Sequence, residues 1–456
     1  DGTIKLDGNY PVGTGNVALG DTALSTLSNG AQNTAIGNLA GATTNAAYLT
    51  AVGYQAARYN TGDGNTAIGT NSLITAGSGA NNVAVGKDSL YSNTTASNNT
   101  AVGYRAAYSN VTGQVEAFGY QALYNNTGNY NQAFGYQALN SNTSGSYNIA
   151  MGRGAVQLNT TGSNNVGIGF QALVNNTTAS NNTAVGYKAG LNNTTGVHNI
   201  AVGSTAMQNT TTGLNNTAVG GAALISNTTG NTNTALGRQA LYLNTTASNN
   251  TAVGYQAGYS NTTGTGNTGI GGEAGLSLTT SSYNTALGFR ALKLTTTASN
   301  NTAVGTFALQ ANTTGASNVA VGGYSLLSNT TASNNTAVGY QSGYSNTTGS
   351  GNNALGYQAL YDNTTGTGNN ALGYQALTNN TTANYNTAFG HVALFTNVTG
   401  TENTAVGSQT MYNNTGNNNT AMGSTALYAN TSGSNNSAFG VQALRHHTTA
   451  VGYQAA

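Results

Sequence analysis

The stretch Asn99-Thr100-Ala101-Val102-Gly103-Tyr104, with Ala106 and Ala107 close behind, decides how the chain is read. It is one copy of a unit first seen as Asn16-Val17-Ala18-Leu19-Gly20 and last seen as Thr449-Ala450-Val451-Gly452-Tyr453-Gln454-Ala455-Ala456. The glycine that closes each Ala-aliphatic-Gly triplet marks the period. It stands at Gly20, Gly37, Gly53, Gly69, Gly86, Gly103, Gly119, Gly135, Gly152, Gly169 and Gly186, then every 17 residues to Gly407, and finally at Gly423, Gly440 and Gly452. These 27 copies follow one another at steps of 16 or 17 residues, apart from a short last step from Gly440 to Gly452.

A unit this short is too small for a helix-pair repeat, which needs more than thirty residues. β-Branched residues alternate with small ones, and Asn and Gly punctuate each turn, so helix is disfavoured on local grounds as well. The reading is an all-β, parallel β-solenoid (a β-roll) of about 27 coils. Asn-Thr-Ala-Val-Gly supplies one strand of each coil, Gln-Ala-Leu-Tyr a second, and Asn-Thr-Thr-Gly the turn between coils. Coils stacked at roughly 4.8 Å would make a rod of roughly 130 Å. The marker Gly is expected to supply a backbone conformation that a residue with a Cβ reaches poorly. Asn above Asn is expected to form an amide ladder along the axis, with Tyr rows stacking in the same way. Residues 1–15 precede the lattice and contain the single Pro, Pro11; they read as a strand, a cap or a join. Residues 16–456 read as one continuous repeat.

Composition narrows the function. Only 4% of residues are charged and the net charge is +1, so the cationic footprint that nucleic-acid binding requires is missing. No apolar run has the length of a membrane-spanning helix. With Cys 0, disulfides and cysteine metal sites are excluded. The chain opens on Asp1 and shows no signal peptide, which reads as a processed or partial form. Much of the apolar fraction is Ala, so each coil buries few large side chains. At about 25 cal/mol per Å² this is a small return against the cost of ordering a coil. Several chains, three by preference, are therefore expected to pack side by side.

Reactive side chains do not gather. Asp63, Asp88, Glu116, Glu273, Asp362 and Glu402 are read as occupying different places in the unit and distant coils, and His198, His391 and the pair His446-His447 lack a carboxylate in register. The glycines form no phosphate loop. This reading assigns no catalytic, metal or cofactor site, and points away from an enzyme. The pattern that does recur is Asn-x-Thr/Ser, the N-glycan acceptor. In the turn it occurs at Asn93, Asn110, Asn142, Asn159, Asn176, Asn193, Asn227, Asn244, Asn261, Asn312, Asn329, Asn346, Asn363, Asn380, Asn397 and Asn430, expected as a row of glycans down one edge. A second set overlaps the strand start, as at Asn98, Asn181, Asn249 and Asn334. The bland reading is that Asn and Thr are simply good turn residues.

The unit Asn-Thr-Ala-Val-Gly-x-x-Ala-Leu resembles the head repeats of trimeric autotransporter adhesins and is similar to repeats of phage tail-fibre and other surface-fibre proteins. The resemblance runs from Asn16 to Ala456. It implies a trimeric left-handed parallel β-roll on a cell or virion surface. The unit here is longer than in those heads, through its Asn-Thr-Thr insertion, and carries neither a heptad stalk nor a C-terminal membrane barrel. Three functions follow as expectations. The first is an extracellular structural fibre or filament subunit, self-associating as a homotrimer or end to end and heavily glycosylated. The second is an adhesin or receptor-binding fibre whose Tyr rows contact glycans. The third is an ice-binding solenoid, at odds with the adjacency of Thr94 and Thr95, which a strand would point opposite ways.

Overall fold

The computed structural model describes residues 13–449 together with Gly452, Gln454 and Ala455. The expected N-terminal strand, cap or join falls on residues outside these, apart from the bend at 13–15. All regular structure among the described residues is β-strand. The chain is a parallel β-solenoid in two compact units, one ending at Thr229 and one starting at Gly230. The first carries β1 (Val17–Leu19) to β13 (Thr217–Val219), among them β6 (Thr100–Val102), β7 (Val115–Phe118) and β8 (Asn131–Phe134). The second carries β14 (Thr234–Leu236) to β27 (Gln454–Ala455), of which β26 (Ser437–Phe439) precedes the last.

Within each unit a strand pairs in parallel with its successor, like residue against like. Ala84 faces Ala101, and Ala101 faces Ala117; in the second unit Ala303 faces Ala320 and Ala320 faces Ala337. The middle Ala of the strand points inward and is buried, as at Ala101, Ala184 and Ala303. The residues either side point out, as the pleat requires.

The expected second strand is absent. Gln-Ala-Leu-Tyr is a turn whose backbone alternates hands, with φ 54 at Gln121 and φ 52 at Leu123. Burial gives the reason. Ala122 and Leu123 are neighbours in sequence and both point into the interior, whereas an extended strand sends neighbours to opposite faces. A left-handed residue costs roughly 1–2 kcal/mol without a glycine. Hydrogen bonds between coils offset this: Leu123 N–H donates to Ala138 O at 3.0 Å, and Gln137 N–H to Tyr120 O at 2.9 Å.

The marker glycine behaves as expected. Gly103 has φ 135 and Gly186 φ 136, and a Cβ on Gly86 would stand 2.6 Å from the Gly103 carbonyl oxygen. This φ separates the marker from other glycines and corrects the short last step. Gly452 has φ 75, the value of Gly15 and Gly64 rather than of a marker, and its N–H donates to Ser434 O. Gln454 and Ala455 are what pair with Ser437 and Ala438, so the spacing of 17 is kept and Gly452 sits before the strand.

The interior is small. Per coil it holds the strand Ala, the Ala-Leu pair and two buried asparagines, as at Asn99 and Asn110. We call the one just before the strand the entry asparagine and the other the turn asparagine. The residue preceding the entry asparagine is in the left-handed region, φ 62 at Asn98 and φ 61 at Asn181, and is called the corner residue.

Candidate functional site

The entry asparagine replaces a strand bond. Its Oδ1 accepts the backbone N–H of the next entry residue, Asn82 from Asn99 at 2.9 Å and Asn165 from Asn182 at 3.0 Å. Its Nδ2 donates to a carbonyl of the turn, Asn182 to Gly196 O at 2.9 Å. Such a rung satisfies a backbone donor that would otherwise be buried alone and adds a second bond to a carbonyl that a turn asparagine also reaches, as Asn193 does at Gly196 O.

The turn asparagines include every residue expected to carry a glycan, and the structure buries all of them. Asn93, Asn110, Asn142, Asn159, Asn176, Asn193, Asn227, Asn244, Asn261, Asn312, Asn329, Asn346, Asn363, Asn380, Asn397 and Asn430 are all buried, none more than 2% exposed. The Nδ2 that would carry the sugar points along the axis: Asn159 donates to Asn142 Oδ1 at 2.7 Å and to Gly162 O at 2.9 Å, and Asn363 to Asn346 Oδ1 at 2.8 Å. A glycan at these positions would have to displace these bonds. The other acceptor set is at the surface. Asn98, Asn181, Asn249 and Asn334 are exposed corner residues held in the left-handed region, which Asn tolerates better than most residues.

Two aromatic columns run along the coils. The residue after the marker Gly gives an exposed column in which Tyr104, Tyr120 and Tyr136 stack at 5.4 and 4.9 Å, and Tyr340, Tyr357 and Tyr374 at 5.8 and 5.1 Å. A second, half-buried column includes Tyr91, Tyr108 and Tyr124. Because successive rings lie face to face, their faces are spent on one another and only edges meet solvent. Sugar recognition by stacking needs a free face, so an uninterrupted run offers little to a glycan. Tyr255 is different. Its column neighbours are Arg238 and Gly272, and the ring is 47% exposed.

Across the marker Gly from the exposed tyrosines lies the outer residue of each strand. Met151, Leu236, Phe389 and Met422 are exposed there. The two rows together make an apolar stripe of a kind that monomeric proteins seldom leave open.

Charge is more ordered than the sequence suggested. Asp88 and Arg105 occupy equivalent places in successive coils and pair at 3.4 Å; Glu273 and Arg290 repeat the arrangement at 3.0 Å, with Lys293 also on Glu273 at 2.7 Å. Hydrogen bonds from Lys293 and then Arg290 hold the Glu273 carboxyl below its ordinary range. The missed signal was the spacing of 17 between opposite charges. His446 and His447 lie exposed beyond β26. Among the described residues no three His, Cys, Asp or Glu side chains come together as a metal site, and no helix is long and apolar enough to cross a membrane. No known family model matches the sequence, and no curated protein matches it.

Proposed function

We propose that this chain is the shaft of an extracellular fibre or filament on a cell or virion surface, in which copies associate side by side, three by preference. The observation that carries this reading is the apolar stripe of strand residues and tyrosines. It repeats with the coil, so a second chain could meet it in register along many coils at once. The small Ala-rich interior supports the same reading, since burial between chains would add to what each coil buries alone. N-glycans on such a shaft would sit on the exposed corner residues Asn98, Asn181, Asn249 and Asn334, leaving the turn row bare.

Sedimentation velocity on the purified chain tests this. Assembly is expected, and Val202→Lys with Val219→Lys should dissociate it by placing charges on the stripe. A folded monomer at micromolar concentration overturns the reading. A receptor-binding fibre that recognises glycans is the second reading, and it draws its support from Tyr255. Selective binding on a glycan array, lost in Tyr255→Ala, would move the assignment to that class.

A further inference from the structure

One coil of the first unit lacks its corner residue. Elsewhere the corner stands between two residues with fixed roles: the first offers its carbonyl to the next corner N–H, and the second sends its own N–H to the preceding entry Oδ1. Between Gly103 and β7 these roles fall to adjacent residues. Gln114 O accepts from Tyr130 N–H at 2.7 Å, and Val115 N–H donates to Asn99 Oδ1 at 2.6 Å. Left-handed residues mark the corners at Asn98 and Tyr130, and none stands between them in the corner row. The deletion leaves a notch one coil wide, a cavity of about 160 Å³.

The walls of the notch have a definite chemistry. Tyr130 stacks on Tyr147 of the following coil at 5.1 Å, so its other face looks into the gap where no corner side chain covers it. Glu116 stands in the place that Thr100 holds in the previous strand, with Gln132 opposite it in the next. Both row neighbours are neutral, and no ion pair or side-chain hydrogen bond engages the Glu116 carboxylate among the described residues. Asn98, Gln114 and Gln132 add amide groups to the lining. In a chain with only 4% charged residues, an uncompensated carboxylate beside an open aromatic face stands out.

We infer that this notch binds the cationic group of an organic molecule, an alkylammonium or guanidinium. The positive charge would lie against the Tyr130 face and be balanced by Glu116, with the amide oxygens accepting its N–H groups. A divalent metal fits poorly, since a single carboxylate and no further anionic ligand would hold it. A neutral ligand would leave Glu116 unanswered. The site is at the end of the strand remote from the exposed tyrosine column, and the inference stands independently of how chains assemble.

Isothermal titration of the full chain with tetramethylammonium, methylguanidinium and the neutral isostere tert-butanol tests this at constant ionic strength. Binding of at least one cation is expected, with tert-butanol silent. Glu116→Gln should weaken it about two- to fivefold, as loss of an exposed ion pair implies. An Asn inserted between Gln114 and Val115 should restore the corner and abolish binding while the circular dichroism spectrum is unchanged. Preference for methylguanidinium, shared by N-acetyl-arginine amide, would indicate a protein side chain as the source of the cation. Preference for tetramethylammonium would indicate a free alkylammonium. No binding by any cation, equal binding of tert-butanol, or full binding by Glu116→Gln overturns the proposal.

Discussion

The entry and turn asparagines run side by side through each unit, equally buried, yet the chain tolerates interruption of one row far more often than of the other. Among the described residues, Leu49 and Val115 replace Asn in the entry row; in the turn row Leu27, Thr44, Ala76, Thr210, Leu278, Thr295 and His447 do. The bonds explain the difference. An entry Oδ1 serves a backbone N–H of the next coil, and nothing else is placed to serve it. A turn Oδ1 serves the NH2 of the next turn asparagine, which also has a backbone carbonyl to donate to, as Asn261 does with Gly264 at 2.9 Å. A break in the turn row therefore costs at most one side-chain oxygen its partner, and at Asn60, followed by Ala76, the Nδ2 of Asn65 takes its place. Asn261 Oδ1, followed by Leu278, and Asn193 Oδ1, followed by Thr210, are buried without a partner. The two replaced entry asparagines differ: after Leu49 the strand keeps three residues, Thr50–Val52, whereas Val115 joins its strand. There β7 and β8 lengthen to include Val115 and Asn131 as a paired rung.

The sharpest way to break this comparison is Asn182→Ala. It removes the acceptor for Asn199 N–H, while Gly196 O keeps the Nδ2 of Asn193, and should cost about 3 kcal/mol, as one orphaned buried backbone N–H and a cavity imply. The readouts are a lower urea midpoint and loss of exchange protection at the Asn199 amide. Asn176→Leu in the turn row should cost less, about 2 kcal/mol by the same reasoning for side-chain partners; equal losses would refute the distinction. Leu278→Asn sharpens it from the other side. A new Nδ2 facing Asn261 Oδ1 should stabilise the second unit by about 1 kcal/mol, seen as a higher melting temperature.

Two smaller effects concern titration. Burial first, then the neighbouring tyrosines, raise the Tyr108 and Tyr361 hydroxyls above the ordinary tyrosine value. For an acid whose folded pKa is raised, the contribution is complete below the unfolded pKa of about 10 and fades as pH climbs through the folded value. Ultraviolet titration should show some tyrosines ionising late, with melting temperature falling only above that range. Glu273 runs the other way. Its depressed pKa stabilises the fold above the ordinary carboxylate range, and that is lost as pH falls through the folded value. Glu273→Gln should change stability by less than about 1 kcal/mol at neutral pH.

The lattice of marker glycines made the parallel solenoid legible, because identical spacing forces like residues above like. The inward Ala, the stacked tyrosines and the amide ladders followed from that spacing alone. What misled was reading every apolar-polar string as a strand. Gln121-Ala122-Leu123-Tyr124 has two adjacent inward residues, a pattern of period other than two, and that was the sign of a turn. The acceptor triplets are ambiguous for a related reason. Thr after Asn marks both a glycan acceptor and a tight turn, and only burial distinguishes the turn row from the corner row. The notch at Tyr130 left a trace in the short step from Gly103 to Gly119 and in Val115 where Asn was due, but its lining residues belong to three different coils.

A ladder of near-identical rungs carries a hazard during folding, since a strand can settle one rung out of place and still find Ala against Ala. The paired charges remove that ambiguity locally. Arg290 matches Glu273 in the coil below it and finds no such partner if the chain slips, and the shortened coil before β7 has one position where its extra paired rung fits. These departures from the repeat serve as index marks by which a monotonous chain counts its own coils.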